Sequence, residues 1–453
     1  MSRKILCITI ALLFIMSATI TGCSQKSEGT QIIETNTKAT VAPSSETPAK
    51  KVKITFWDDN AGPERTPLYE ELIKRFHAQN SNVEVEYLGI PWESSKQKYD
   101  IAIAADEVPD CAEIITNWLA GFVAKDTLLP LDEYFEKWNE SDKMAPAYIG
   151  ALRNVVPDGK LYGLPYTANM SLAWIRSDWL KDAGLDIPKN WDEVFEAIDT
   201  LTDKDNNQYG FSFRGGPGSW SPLLTFLYSY SGIAEFYGAD GKCTLNDPGN
   251  VEALERYVSL YTEYSTEGDI TNGYKEITAA FDSGSAAMII HNLGSYNTHK
   301  GILLDDSKFT VLPLPKGKSG KQILPETSIS EYGIFKSSEK YDAAWEFISF
   351  LCTAESNSYW NSHVGQLPTN TDVLDDEWVV NAKHIQTAAS FASQKDTLTL
   401  PLPFYLPDYT TINSSIAEPG LQKVMLGDKQ PKEFLDEWAK AFEDAKKEYD
   451  ANN

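Results

Sequence analysis

The sequence predicts an α/β protein built as two lobes, and three observations carry that reading. The globular part opens strand, helix, strand, which is the start of a parallel sheet covered by helices. Two-residue and 3.6-residue apolar periods then alternate to the last segment. At 453 residues the chain is too long for one sheet and long enough for two domains of ordinary size.

Residues 51–57 alternate polar and apolar and read as the first strand. Over 66–80, Leu68, Leu72, Ile73 and Phe76 recur at helical spacing. In 82–88, Val83, Val85 and Tyr87 share one face of a second strand. A helix is expected over 94–105, a short apolar strand over 111–115 after the turn pair Pro109-Asp110, and a helix over 131–138. Residues 191–200 form a helix with Asn190 as its N-cap, followed by a strand at 209–213. Helices at 250–264 and 274–283 precede a strand at 286–291. The run 339–351 is amphipathic, with Tyr341, Trp345, Phe347, Ile348 and Leu351 on its apolar face, and 431–449 closes the chain as a helix. Trp345 and Trp438 therefore belong to cores, whereas Trp57 at the end of the first strand suits core or cleft equally.

Charge and chemistry then exclude several functions. The net charge of -25 repels phosphate backbones, so nucleic acid is not a partner, and it offers anionic lipid no polybasic attraction. Cys111, Cys243 and Cys352 are widely spaced and expected as buried free thiols, with one bridge at most. No cysteine–histidine spacing suits zinc, and no motif asks for a cofactor. The stretch from Asp203 begins like a calcium loop but has Gln208 where glycine is needed and Arg214 where a bidentate glutamate belongs. No nucleophile elbow, phosphate loop or dinucleotide fingerprint is present, so no enzyme is expected.

The N-terminus is a targeting signal. Arg3 and Lys4 precede an apolar run over 5–16 that is too short to span a bilayer. It leads to Ile20-Thr21-Gly22-Cys23, which resembles a bacterial lipobox with isoleucine in place of the usual leucine. That resemblance implies lipidation of Cys23 and a place on the cell membrane, facing outside the cytoplasm. Residues 24–50 are polar and lack aromatic residues, as a flexible tether would.

Four stretches, in order, resemble the extracellular solute-binding proteins of sugar ABC transporters. The first is Ile54-Thr55-Phe56-Trp57 through Arg75-Phe76 to 83–87, and the second is Pro109-Asp110 with 121–124 and 128–132. The third is 159–166 with 174–180 and 188–193, and the fourth is 281–288 with Pro313-Leu314-Pro315 and 343–348. The resemblance implies a periplasmic-binding-protein-like clamp with several hinge crossings. Its parts would be a signal peptide (1–22), a lipidated cysteine and tether (23–50), lobe 1 (51–167 and 314–365) and lobe 2 (168–313 and 366–453). Hinges would fall near Tyr166, near Leu312 and at 366–368. The ligand would be a sugar, an oligosaccharide given 12 Trp and 22 Tyr, delivered to permease subunits by a monomer.

Sugar recognition needs aromatic faces for C–H surfaces and fixed donors and acceptors for hydroxyls. In α/β sheets these sit on loops at strand ends. Asp58 and Asn60 follow the first strand, where a solvated turn is the other reading. Asn117 and Trp118 follow the third strand, and Asn169 lies just past the first hinge. In the loop 214–220, Arg214 and Trp220 flank a glycine-rich run that lets backbone approach a ligand, and Trp220 is expected at the loop tip. Asn292 and Tyr296 follow the strand at 286–291, with His291 read as structural. Glu331 and Tyr405 complete the set. A polyamine or peptide binder, or a secreted glycoside hydrolase or lyase, remains open on composition alone.

Overall fold

The structure, a computed structural model, describes residues 51–326 and 328–452. The expected signal peptide, Cys23 and the tether lie outside the described residues. Two sheets organise the folded body. The first has strands β1 (Val52–Asp58), β2 (Val83–Gly89), β3 (Cys111–Ile115), β4 (Leu164–Ala168), β9 (Ile329–Ile334) and β10 (Leu367–Pro368), in the order β10-β4-β9-β3-β1-β2. The second has β5 (Ser171–Arg176), β6 (Met288–Asn292) and β7 (Phe309–Leu312), with β5 in the middle. A separate parallel pair joins β8 (Gln322–Pro325) to β11 (Thr397–Leu400).

The β1–β2 and β1–β3 pairings are parallel, as the opening pattern predicts, with Val52 opposite Val83. β9 is antiparallel to both β3 and β4, and the second sheet is antiparallel throughout. On one face of the first sheet, Ile54, Phe56 and Ile334 pack on the helices Thr66–Gln79, Tyr341–Leu351 and Ala354–Val364 through Leu72, Phe76, Phe347 and Trp360. Trp345 belongs to this core, as expected. In the second lobe Trp174, Phe281 and Ile289 fill one side. Phe226, Tyr257 and Trp438, from the helices Trp220–Ser231, Pro248–Val258 and Pro431–Asn452, share a core on the other side.

The chain leaves the first sheet after Ala168, returns at Ile329, and leaves again after Pro368. The middle return comes later than residue 314, because β8 pairs with β11 and Ser229 of the helix Trp220–Ser231 donates to the carbonyl of Ile323. Two element expectations need correction. Residues 209–213 form no strand: Tyr209 makes a single parallel bridge to Ala286, and the pairing breaks where Phe211 N turns to the carbonyl of Tyr264. The helix expected over 250–264 ends at Val258, and Thr262 then turns the chain at φ 60°. Asn190 caps its helix by accepting from Glu193 N at 2.9 Å. Cys111, Cys243 and Cys352 are buried and free.

Candidate functional site

A cleft of about 1600 Å³ lies between the sheets, and its lining comes from both lobes. This exceeds the roughly 300–1,000 Å³ usual for small-ligand sites. On the first lobe's wall, Thr116, Asn117 and Trp118 form the first turn of the helix Thr116–Ala124, directly off β3. Trp118 stacks on Trp92 with centroids 5.7 Å apart and planes 16° apart. Asn117 Oδ1 accepts from Ser328 Oγ at 3.3 Å. On the second lobe's wall, Trp220 packs edge-on to Tyr409 at 5.6 Å, and Phe404 packs on the same tyrosine. Asn169, between β4 and β5, accepts from Gly294 N at 3.3 Å, and Asn292 is the last residue of β6.

Beneath the first wall lies a buried charged network. Glu113 accepts from Arg65 at 2.7 Å, from Tyr69 at 2.8 Å and from Tyr166. Asp58 accepts from Tyr87 at 2.7 Å and from Asn60 N at 2.9 Å. Burial, reinforced by the Glu113 charge and opposed by Arg65, pushes the Asp58 carboxyl up to about 7. The same causes push Asp59 well above the usual carboxylate range, and its Oδ2 has no partner. Asp58, Asp59 and Glu113 bring carboxylate oxygens within 4.8 Å of one another. That resembles a metal cage, but Glu113 is already saturated by three donors and the Arg65 guanidinium supplies the positive charge. The donor set therefore does not suit a cation.

The second wall carries Arg214, buried beside Tyr274 and Glu418. Burial lowers its pKa to about 10, with Glu418 partly opposing. His291 stacks on Tyr274 at 5.8 Å, and burial together with the Arg214 charge holds it well below its usual pKa, so it is neutral. Glu418 accepts from Gly218 N at 2.6 Å, and burial raises its pKa. At the mouth the lobes touch directly. Lys275 pairs with Glu93 at 3.1 Å, Thr298 donates to Glu64 at 3.0 Å, and Tyr274 donates to Asn60 at 3.4 Å.

Of the residues singled out in the sequence, Asn60, Asn117, Trp118, Asn169, Arg214, Trp220 and Asn292 line the cleft. Four do not. Asp58 turns inward to Tyr87. Glu331 is fully buried, because alternation along β9 gives the cleft side to Ser330. Tyr296 stacks on His384 at 3.8 Å, and Tyr405 packs on Tyr449 at 5.0 Å. Trp220 is not at a loop tip. It opens a helix, and Pro222 sits in the first turn, where no N–H is needed. Trp57 packs on Tyr99 at 5.5 Å rather than in the cleft. His291 lines the cleft after all. Trp92 was missed, although it follows the end of β2, where the strand-end rule applies. Tyr274 and Glu418 give no local signal, because only the fold brings them to Arg214.

A deep cleft walled by aromatic and amide side chains, between two α/β lobes whose chain crosses three times, defines a two-lobe binding protein. Among the described residues no helix is long and apolar enough to cross a membrane. Residues 62–358 match the bacterial extracellular solute-binding protein family, and the chain belongs to it. A Brucella abortus binding protein is 27% identical over 408 residues, covering 87% of this chain and 93% of its own. The maltotriose-binding protein of Pyrococcus abyssi is 25% identical over 344 residues, with 73% and 69% covered. A Thermotoga lettingae ABC transporter solute-binding protein, bound to α-D-tagatose, superposes with a TM-score of 0.77 at 22% identity, covering 87% of this chain and all of that one.

Proposed function

We propose that the protein captures a sugar, specifically an oligosaccharide, by lobe closure and passes it to the permease of an ABC importer. The observation that carries this is the composition of the cleft. Trp92 and Trp118 on one side and Trp220 and Phe404 on the other offer ring faces to pyranose C–H surfaces. Asn60, Asn117, Asn169 and Asn292 offer amides that both donate and accept, as sugar hydroxyls require. The volume favours several sugar units over one. The maltotriose-binding relative points the same way, and the tagatose-bound neighbour supports a sugar as the ligand class.

Capture by closure is supported by the pairs Lys275–Glu93 and Thr298–Glu64, which join the lobes at the mouth and must part for a ligand to enter or leave. Asn60 and Arg65 enter from the first lobe and Trp220, Arg214 and Asn292 from the second, so a bound sugar would bridge both. The site residues serve binding and not turnover, and the sugar leaves intact. The protein works as a monomer outside the cytoplasm, held to the membrane by lipid on Cys23.

A thermal-shift panel of the mature protein against mono- and oligosaccharides, polyamines and short peptides tests the reading. An oligosaccharide at a hundredfold excess over its dissociation constant should stabilise the protein by about 2.7 kcal/mol. A shift with polyamines or peptides alone would overturn it. For the anchor, Cys23→Ala should release folded protein from the membrane fraction, and retention equal to wild type would refute lipidation.

A further inference from the structure

Four lysine or arginine side chains line the cleft: Arg65, Lys96, Arg214 and Lys275. Three have a carboxylate at salt-bridge distance. Arg65 meets Glu113 at 2.7 Å, Lys96 meets Asp100 at 2.6 Å, and Lys275 meets Glu93 at 3.1 Å. Arg214 has none among the described residues, although it is only 9% exposed. Its Nε donates to the carbonyl of Pro217 at 2.7 Å. The guanidinium lies flat against Gly218, where a Cβ would come within 2.0 Å of Nη2, so only glycine leaves it room. The Tyr274 ring backs it at 5.9 Å. One of five N–H donors is thus used to aim the group, and the two Nη groups have no partner among the described residues.

The carboxylates in the same lining differ. Glu418 already accepts from Gly218 N at 2.6 Å and Glu326 from Leu402 N at 3.0 Å. His291 beside Arg214 is neutral, and Glu418 is tied to Gly218 N outside salt-bridge distance, so Arg214 is the cation of this patch of wall. A buried cation is costly unless it is paired and hydrogen-bonded. When the cleft closes over a ligand, the water now solvating the Nη groups is lost, and the ligand must replace it. A planar carboxylate matches the guanidinium fork with two parallel hydrogen bonds.

We propose that Arg214 is the receptor for a carboxylate on the captured sugar, which makes the preferred ligand an oligosaccharide carrying a uronic acid. This rests on the sugar reading above. Arg214 sets specificity by charge, while the aromatic walls bind the neutral part of the chain.

The test is calorimetric titration of the mature protein with matched pairs: a neutral xylo- or gluco-oligosaccharide, and the same backbone bearing one glucuronic acid. The acidic member should bind about tenfold or more tightly, since charge-assisted bidentate bonds are the strong ones. Arg214→Gln should erase that preference, so that the acidic and neutral members bind alike, and Arg214→Lys, which keeps charge but loses the fork, should fall between. Equal or tighter binding of the neutral member by the wild type, or a preference that survives Arg214→Gln, would overturn the assignment and leave the sugar reading intact. If neither member binds while another solute class does, both fall together.

Discussion

The two walls of the cleft both bury charge, and they do so in opposite ways. Under the first wall, Glu113 takes hydrogen bonds from Arg65, Tyr69 and Tyr166, and the Arg65 guanidinium lies 4.8 Å over the Trp360 ring. The network is nearly closed, with only Asp59 Oδ2 and Arg65 Nε left without a partner among its described atoms. On the second wall, Arg214 is also buried, but among the described residues it makes one hydrogen bond and has no carboxylate at salt-bridge distance, Glu418 acting on it only from further away. Burial alone therefore does not mark a binding residue. Saturated burial holds a lobe together, and unsaturated burial awaits an external partner.

Breaking the saturated wall should produce the largest effect. Glu113→Ala strands Arg65 in the interior and should cost about 3–5 kcal/mol of stability, read as the midpoint of chemical unfolding. A loss well under 1 kcal/mol would mean that water reaches the network. Trp220→Ala should act mainly on binding. Loss of its ring should weaken sugar affinity by about 1–3 kcal/mol. Stability should fall by only about 1 kcal/mol, for the lost edge contact with Tyr409. Unchanged affinity in that variant would move the ligand away from the second wall. Tyr69→Phe removes one of the three donors to Glu113 and should cost about 1 kcal/mol, with affinity unchanged in the same titration.

A further effect is a pH dependence. The folded-state pKa of Asp58 is raised to about 7, above its ordinary value of 3.8. Its stabilising contribution is therefore fully present below about pH 4 and is lost as pH rises through about 7. Asp58→Asn, which stays neutral, should gain stability relative to wild type across that window. The buried His384, lowered to about 4 by burial, works in the other direction: its contribution is lost as pH falls from about 6.5 towards 4. Only the difference between wild type and Asp58→Asn isolates the carboxylate. A flat difference between pH 4 and 7 would show that Asp58 is not protonated by its surroundings.

Much of the frame was legible because it is local. The opening β1–helix–β2 unit, the helix from Trp191 with its Asn190 cap and the core placement of Trp345 follow from period and capping alone. The strand-end rule reached Asn60, Asn117, Trp118 and Asn292 on the cleft. It failed where the decisive partner is distant. Asp58 looked like its neighbour Asn60, but Tyr87 on the adjacent strand turns it inward. Glu331 was assigned to the cleft without the register of β9, and one step along a strand reverses the face. The glycine-rich run before Trp220 was visible, yet the helix that begins there was not, since Ser221-Pro222 reads equally as loop or as a first turn. No local pattern marks Arg214 as unpaired, because that depends on Glu418 and Tyr274 from other segments.

The most direct test of the contrast measures unfolding free energy and sugar affinity on the same preparations of Glu113→Gln and Arg214→Gln. The account predicts that Glu113→Gln, which keeps the side-chain volume but leaves Arg65 without its counter-charge, loses stability by several kcal/mol and, where folded, binds much as wild type does. Arg214→Gln should unfold within about 1 kcal/mol of wild type, because among the described residues no protein carboxylate is at salt-bridge distance from it, yet lose about tenfold or more in affinity for the preferred sugar. The reverse pattern, with Arg214→Gln unstable but fully binding and Glu113→Gln stable but unable to bind, would contradict the assignment of the two walls.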